Sequence, residues 1–187
     1  MTLKNRPPIR FVYDREKAGE LAAHLVQQSG GSIPMLKLLK LMYLADRTSL
    51  IETGFSVTGD AMVAMGKGPV LSATYDRLKP QSAVDLPYVS NATGTVRVTE
   101  PPPAAGQLSD YEIELSRRVW AKFGHMTGEQ LIAYLHREAH EWKPPAEGSS
   151  EPIDPADILR EAGKGDDEIA AVAAEAGYFY SVDSRKG

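Results

Sequence analysis

The sequence predicts a mainly α fold: a compact multi-helix domain around one central apolar helix, with a small β-hairpin or sheet appended. Three observations carry that expectation. In PMLKLLKLMYLADRTSLIET, residues 34–53, Leu or Met fills positions 35, 36, 38, 39, 41, 42 and 44, while Lys37, Lys40 and Arg47 fall on one narrow line. A helix apolar around nearly its whole circumference belongs inside a domain, covered by other helices. Ser109 with Glu112, and Thr127 with Gln130, form capping-box patterns that each open an apolar-periodic run. Finally, residues 80–108 are rich in Pro, Ser, Gly and Thr and hold one clear strand candidate, Thr95 to Thr99, which suits a small β element.

In chain order, residues 1–12 read as a flexible arm, since prolines and scattered charges give no amphipathic pattern. One domain then spans 13–180, and 181–187 reads as a flexible tail. Asp14 is placed to cap a first helix reaching about Ser29, whose apolar face is Ala18, Leu21, Ala22, Leu25 and Val26. Gly30 and Gly31 end it, Pro34 suits the first turn of the central helix, and Gly54 closes that helix. Ala61 to Met65 is a short apolar strand candidate between glycines. Gly68-Pro69 is expected to open a helix to Leu78, with Pro69 at its first position. Ile113, Leu115, Val119, Trp120 and Phe123 form the core face behind Ser109, and Leu131, Ile132, Leu135 and Ala139 that behind Thr127. Residues 144–155 read as a loop, 155–162 as a short helix, and Asp166 as the cap of a last helix ending at Gly177. No internal repeat of fixed period occurs.

The chain has 187 residues, 42% hydrophobic and 25% charged, enough for one domain with a sizeable core. With no cysteine, disulfides, thiolate metal sites and thiol nucleophiles are excluded. The charges interrupting residues 34–53 exclude a membrane span, and MTLKNRPPIRF lacks the apolar run of a signal peptide, so a cytoplasmic location is expected. Net charge is −4, but residues 141–175 hold ten acids against three bases. Such a segment disfavours broad phosphate-backbone binding; it is either a solvated acidic face or a match for a basic partner surface.

Few residues suggest catalysis. His136 and His140, with Glu141 beside them, stand at i, i+4 on one helix face, a spacing a metal site uses, but the zinc-protease pattern needs Glu where Arg137 stands. Gly66-Lys67-Gly68 lacks the length and following Ser or Thr of a phosphate loop, and Pro69 removes a backbone N–H. No Gly-x-Ser-x-Gly elbow is present. Asp46, Asp60 and Asp76 form a carboxylate cluster only if the fold gathers them; caps or ion pairs with Arg47, Lys67 or Arg77 are the alternative.

The order of short blocks is more informative. LLKLMYLADR around Tyr43 and Asp46 is followed by Gly54, then Val-Thr-Gly-Asp at 57–60, Gly-Pro-Val at 68–70, and Tyr75-Asp76. A helix with His136, then Trp142, comes later. This order resembles the Panacea domain, the SocA-like antitoxin and phage-associated family, over roughly residues 15–165. The resemblance implies a protein without catalysis or cofactor that neutralises a co-encoded toxin by direct binding. It further implies an adaptor role, presenting the toxin to an AAA+ protease of the ClpXP type. Under it, the candidate protein-binding residues are Tyr43, Asp46, Arg47, Asp60, Lys67, Tyr75, Asp76, His136 and Trp142; the alternative is that Tyr43, Asp46 and Asp60 tie the central helix to the next loop by buried hydrogen bonds. The competing readings are a metal-dependent hydrolase built on His136 and His140, and a DNA-binding autorepressor. The second lacks a basic recognition helix, so nucleic acid is not the expected partner.

Overall fold

A 19-residue helix packed with Leu and Met organises the chain. The computed structural model describes residues 8–183. In it, α2 (Met35–Thr53) buries Leu38, Leu39, Leu41, Met42, Tyr43, Leu44, Ala45 and Leu50, so the apolar circumference read from the sequence is covered. Its covering elements are α1 (Arg15–Gln28), α4 (Asp110–Phe123), α5 (Gly128–Glu138), α6 (Pro155–Glu161) and the strand β3 (Gly68–Leu71). The three charges of the narrow line are absorbed as well. Lys37 donates to the Gly124 carbonyl at 2.6 Å, Lys40 to that of Pro69 at 2.9 Å, and Arg47 to Glu141. Gly54 ends α2 at φ +82, a left-handed conformation in which the chain turns away.

The N-terminal signals act as read. Asp14 accepts from the Lys17 amide at 2.9 Å and starts α1, whose Ala18, Leu21, Ala22, Leu25 and Val26 are buried. Both capping boxes are complete: the Ser109 amide donates to Glu112 at 2.7 Å, and that of Thr127 to Gln130 at 2.8 Å.

The expected mainly α architecture is overturned. Among the described residues seven helices are joined by two three-stranded antiparallel sheets, so the fold is mixed α/β, though rich in helix. In one sheet the order is β1 (Ser32–Pro34), β5 (Thr95–Val98), β4 (Val89–Asn91), with buried Ile33 opposite buried Val96. In the other it is β3, β2 (Met62–Met65), β6 (Glu151–Pro152). Neither sheet is an appendage. Strand β1 runs directly into α2, and β3 lies against it. The strand candidates 61–65 and 95–99 are β2 and β5, but the other short strands show no readable alternation, and β1 and β2 find partners (β5 and β6) 60 to 90 residues further along the chain, β2 pairing also with the adjacent β3.

Three local expectations change with the sheets. Pro69 does not open a helix: Gly68–Leu71 is an edge strand, where a missing N–H is tolerated, and α3 begins later, at Ser72–Leu78. Pro34 closes β1 and precedes α2 rather than lying in its first turn. The last helix, α7 (Asp166–Asp183), passes through Gly177 instead of ending there, and the loop 144–155 contributes β6. Of the arm expected over 1–12, residues 8–12 have no regular secondary structure, with Ile9 buried. Residues 1–7 of the arm and 184–187 of the tail lie outside the described residues.

Candidate functional site

Helix α2 carries four polar residues on its covered sides, Lys40, Tyr43, Asp46 and Arg47, and three different parts of the chain answer them. Asp46 accepts from the Thr58 amide at 3.1 Å and from its hydroxyl; the Thr58 hydroxyl oxygen accepts in turn from the Asp60 amide at 3.2 Å. Asp60 then accepts from the amides of Ala73 at 2.9 Å and Thr74 at 2.8 Å, which caps α3 from outside. The Thr58 carbonyl receives the Asp14 amide at 2.8 Å. Gly59, at φ +67, passes so close to Val12 that a Cβ would sit 2.0 Å from its carbonyl oxygen. The Val-Thr-Gly-Asp block is therefore a junction joining α2, α3 and the entry to α1. Burial pushes the Asp46 carboxyl up to about 7, against the Thr58 hydrogen bonds that pull it down.

One turn away, Tyr43 and Arg47 converge on Glu141. The Tyr43 hydroxyl donates at 2.7 Å, and Arg47 grips both carboxylate oxygens at 2.6 and 3.1 Å. The Glu141 side chain is fully buried and that of Arg47 is 21% exposed. Burial works to raise the Glu141 carboxyl, but hydrogen bonding and charge from Arg47 outweigh it and hold it below its ordinary value.

The third group surrounds the β2–β3 turn. Lys40 is buried, and burial pushes its ammonium down to about 7. Trp142 donates its indole N–H to the Met65 carbonyl at 3.0 Å and stacks on His136, ring centroids 3.8 Å apart and planes 10° from parallel. Gly68 lies between: a Cβ there would be 3.4 Å from Lys40 Nζ and 3.5 Å from His136 Nε2. The His136 imidazole is pushed below its ordinary value, by burial first and then by the Lys40 charge.

Of the nine residues singled out from the sequence, the fold thus gathers Tyr43 with Arg47, Asp46 with Asp60, and His136 with Trp142. The other three do not join them, Lys67 and Asp76 being exposed and Tyr75 half-buried against the core. Lys67 is exposed at the β2–β3 turn, and Asp76 pairs with Lys79 at 2.6 Å, the same ammonium lying 4.6 Å from the Tyr75 ring. Asp46, Asp60 and Asp76 form no carboxylate cluster, since each has its own partners. Beside the stacked His136, His140 is exposed, and no group of three His, Asp or Glu among the described residues could hold a metal ion. Sequence reasoning did not place Lys40, Thr58 and Glu141 among the binding residues, weighing Glu141 only beside the histidine pair. The first was legible as a charge inside an apolar block, the others only as neighbours of Asp60 and Trp142.

It also missed Tyr178, Phe179 and Tyr180, although three adjacent aromatics on a helix cannot all face one core. Five of the six large hydrophobics exposed among the described residues are Val12, Tyr178, Phe179, Tyr180 and Val182. Their rings continue inward as a chain, Tyr178 to Phe179 at 5.6 Å, Phe179 to Phe55 at 5.8 Å and Phe55 to Phe11 at 5.8 Å. Phe179, Tyr180, Val12 and Phe55 line an open groove of about 460 Å³.

Together, fold and site define a helix-rich α/β scaffold in which six of the nine motif residues are engaged with one another or with the buried helix α2, and whose aromatic surface lies elsewhere. The family model described as antitoxin SocA-like, Panacea domain, matches residues 38–143, more than half of the chain. The chain belongs to that family, as its motif order implied. No curated protein and no solved structure gives a significant match.

Proposed function

We propose that this protein is an antitoxin that neutralises a co-encoded toxin by binding it directly, as a protein-binding module and not as an enzyme. Family membership supports the antitoxin role, and the observation that carries the binding reading is the aromatic surface at the end of α7. Soluble monomers rarely leave adjacent large aromatics in water, and such patches mark protein contacts. The buried groups around Asp46 and Glu141 supply the rigid scaffold that presents such a surface. Delivery of the bound toxin to an AAA+ protease of the ClpXP type, and a cytoplasmic site of action, belong to the same proposal. Among the described residues no helix is long and apolar enough to cross a membrane.

Co-expression with the product of the adjacent gene tests the reading. Rescue of growth together with a stoichiometric complex on co-purification is the expected result. Rescue accompanied by loss of the toxin, abolished when the protease is deleted, assigns adaptor-driven degradation. Absence of rescue overturns the antitoxin reading.

A further inference from the structure

We infer that a single buried water molecule joins the entry of α1 to α3, bonded at once to Tyr13, Thr74 and Arg77.

Three side-chain atoms carry the inference. Among the described residues, the Tyr13 hydroxyl, the Thr74 hydroxyl and Arg77 Nε are the buried side-chain nitrogen and oxygen atoms without a direct hydrogen-bond partner. They are not scattered. Thr74 and Arg77 stand at i and i+3 on α3, neighbours on one helix face, and the Arg77 guanidinium lies 5.7 Å from the centre of the Tyr13 ring. Thr74 is fully buried, so bulk solvent does not serve its hydroxyl. Groups buried to that degree are bonded either to protein or to ordered water.

Proximity without direct bonding is the second observation. Burial pushes the Tyr13 hydroxyl above its ordinary value; Thr74 pulls against that shift, the Asp60 charge adds to it and Arg77 opposes it. Thr74 and Arg77 are thus close enough to act on the tyrosine proton, yet outside the geometry of a direct bond to it. Polar groups that face one another in this way are bridged by water.

The chemistry of the three groups selects the occupant. Arg77 Nε only donates, whereas each hydroxyl both donates and accepts. One water accepts from Arg77 and donates to both hydroxyl oxygens, about three bonds being usual for a buried water. A small anion could accept from all three, but the Asp60 charge beside the Tyr13 hydroxyl offsets that of Arg77 and leaves the cluster no net attraction for it. The place gives the water a structural role. Tyr13 immediately precedes the Asp14 cap of α1, Asp60 accepts from the Thr74 amide, and Arg77 Nη1 donates to the Asp85 carbonyl at 3.3 Å. One molecule therefore ties the start of α1 to α3 and steadies the guanidinium that holds the loop around Asp85.

Crystal structures of the full chain, at a resolution that shows ordered solvent, test this. In the wild type one water peak should lie at about 2.7–3.2 Å from each of the three atoms. Thr74→Val, which puts a methyl where the hydroxyl was, should lose the peak and melt about 2–4 °C lower. Persistence of the peak in that variant overturns the three-membered site. A direct bond from the Tyr13 hydroxyl to Thr74 or Arg77 in the wild type, with no peak between them, overturns the water itself. Wild-type crystals soaked in bromide separate water from a halide, since an anomalous peak at this position makes the occupant an anion and overturns the assignment. If Thr74→Val does not fold, the two wild-type structures decide the matter, and every outcome leaves the antitoxin reading untouched.

Discussion

Lys40 and Asp46 lie on the same helix with shifts of opposite sense, and the signs make their contributions to stability separable. The Lys40 ammonium loses its proton at about 7 in the native protein, against an ordinary 10.5. Between those values the unfolded chain binds the extra proton, so stability rises with pH. Asp46 keeps its proton up to about 7 when folded, against an ordinary 3.8, so between those values the native state binds more and stability falls as pH rises. These two groups together place a minimum near neutrality. Lys40→Met should flatten the alkaline rise and stabilise most below pH 7, by on the order of 2–4 kcal/mol. Urea midpoints from pH 5 to 9 check this, and parallel wild-type and variant curves above pH 7 would sink it. Glu141→Gln works differently, because it leaves the Arg47 guanidinium without its bidentate partner. With Arg47 21% exposed, the cost at pH 7 is about 2 kcal/mol, below that of a fully buried pair. Since the Glu141 carboxyl is held below its ordinary 4.5, its contribution is present above that value and lost as pH falls through the native one. The deficit of the variant should therefore shrink in acid unfolding titrations as pH falls below the ordinary 4.5.

At the scale of elements, the Val-Thr-Gly-Asp block shows how one loop sets the ends of three helices. Asp60→Ala removes the acceptor of two amides in the first turn of α3 and should cost about 1–2 kcal/mol, with the amide resonances of Ala73 and Thr74 shifting. Gly59→Ala places a methyl against the Val12 carbonyl in a backbone conformation already hostile to side chains, a cost of at least about 3 kcal/mol. Gly148→Ala provides the comparison: φ is +74 but nothing lies within 4 Å, so about 1 kcal/mol is expected. Equal denaturation midpoints for the two alanine variants would falsify the steric account. The helices themselves were the readable elements, because Asp14, Ser109 and Thr127 act within one turn of their own positions. The 68–71 strand was misread as a helix start because Pro69 suits both roles, and only pairing with Met62–Met65 decides between them.

For the whole molecule, the core is a continuous cluster from Ile9 to Ala176 with α2 at its centre and α7 at its margin. Local stability should follow that arrangement. Amides of α2 should exchange slowest, near the rate set by global unfolding, and those of α7 much faster, since only Ile169, Ala173 and Ala176 are fully buried there. Native-state hydrogen exchange read by mass spectrometry checks the order, and protection in α7 equal to that in α2 would contradict it. A toxin seated on the aromatic face should slow exchange in the last turns of α7 first.

By itself the sequence determined the central helix, the capped starts of α1, α4 and α5, the turn at Gly54 and, through the order of its short blocks, the family. Those features depend on side-chain periodicity or on contacts within one turn, which neighbouring residues carry in full. The tertiary structure alone decided the two sheets, the use of Asp60 as a cap for α3, the Glu141 site between Tyr43 and Arg47, and the burial of Lys40. It also decided that Asp46 and Asp60 face inward while Asp76 does not, and that the rings of α7 meet Phe55 and Phe11. Apart from the β2–β3 and β4–β5 hairpin pairings, each of these joins residues 10 to about 120 positions apart, and a hydrogen bond or a buried charge at that separation has no local pattern from which to be read.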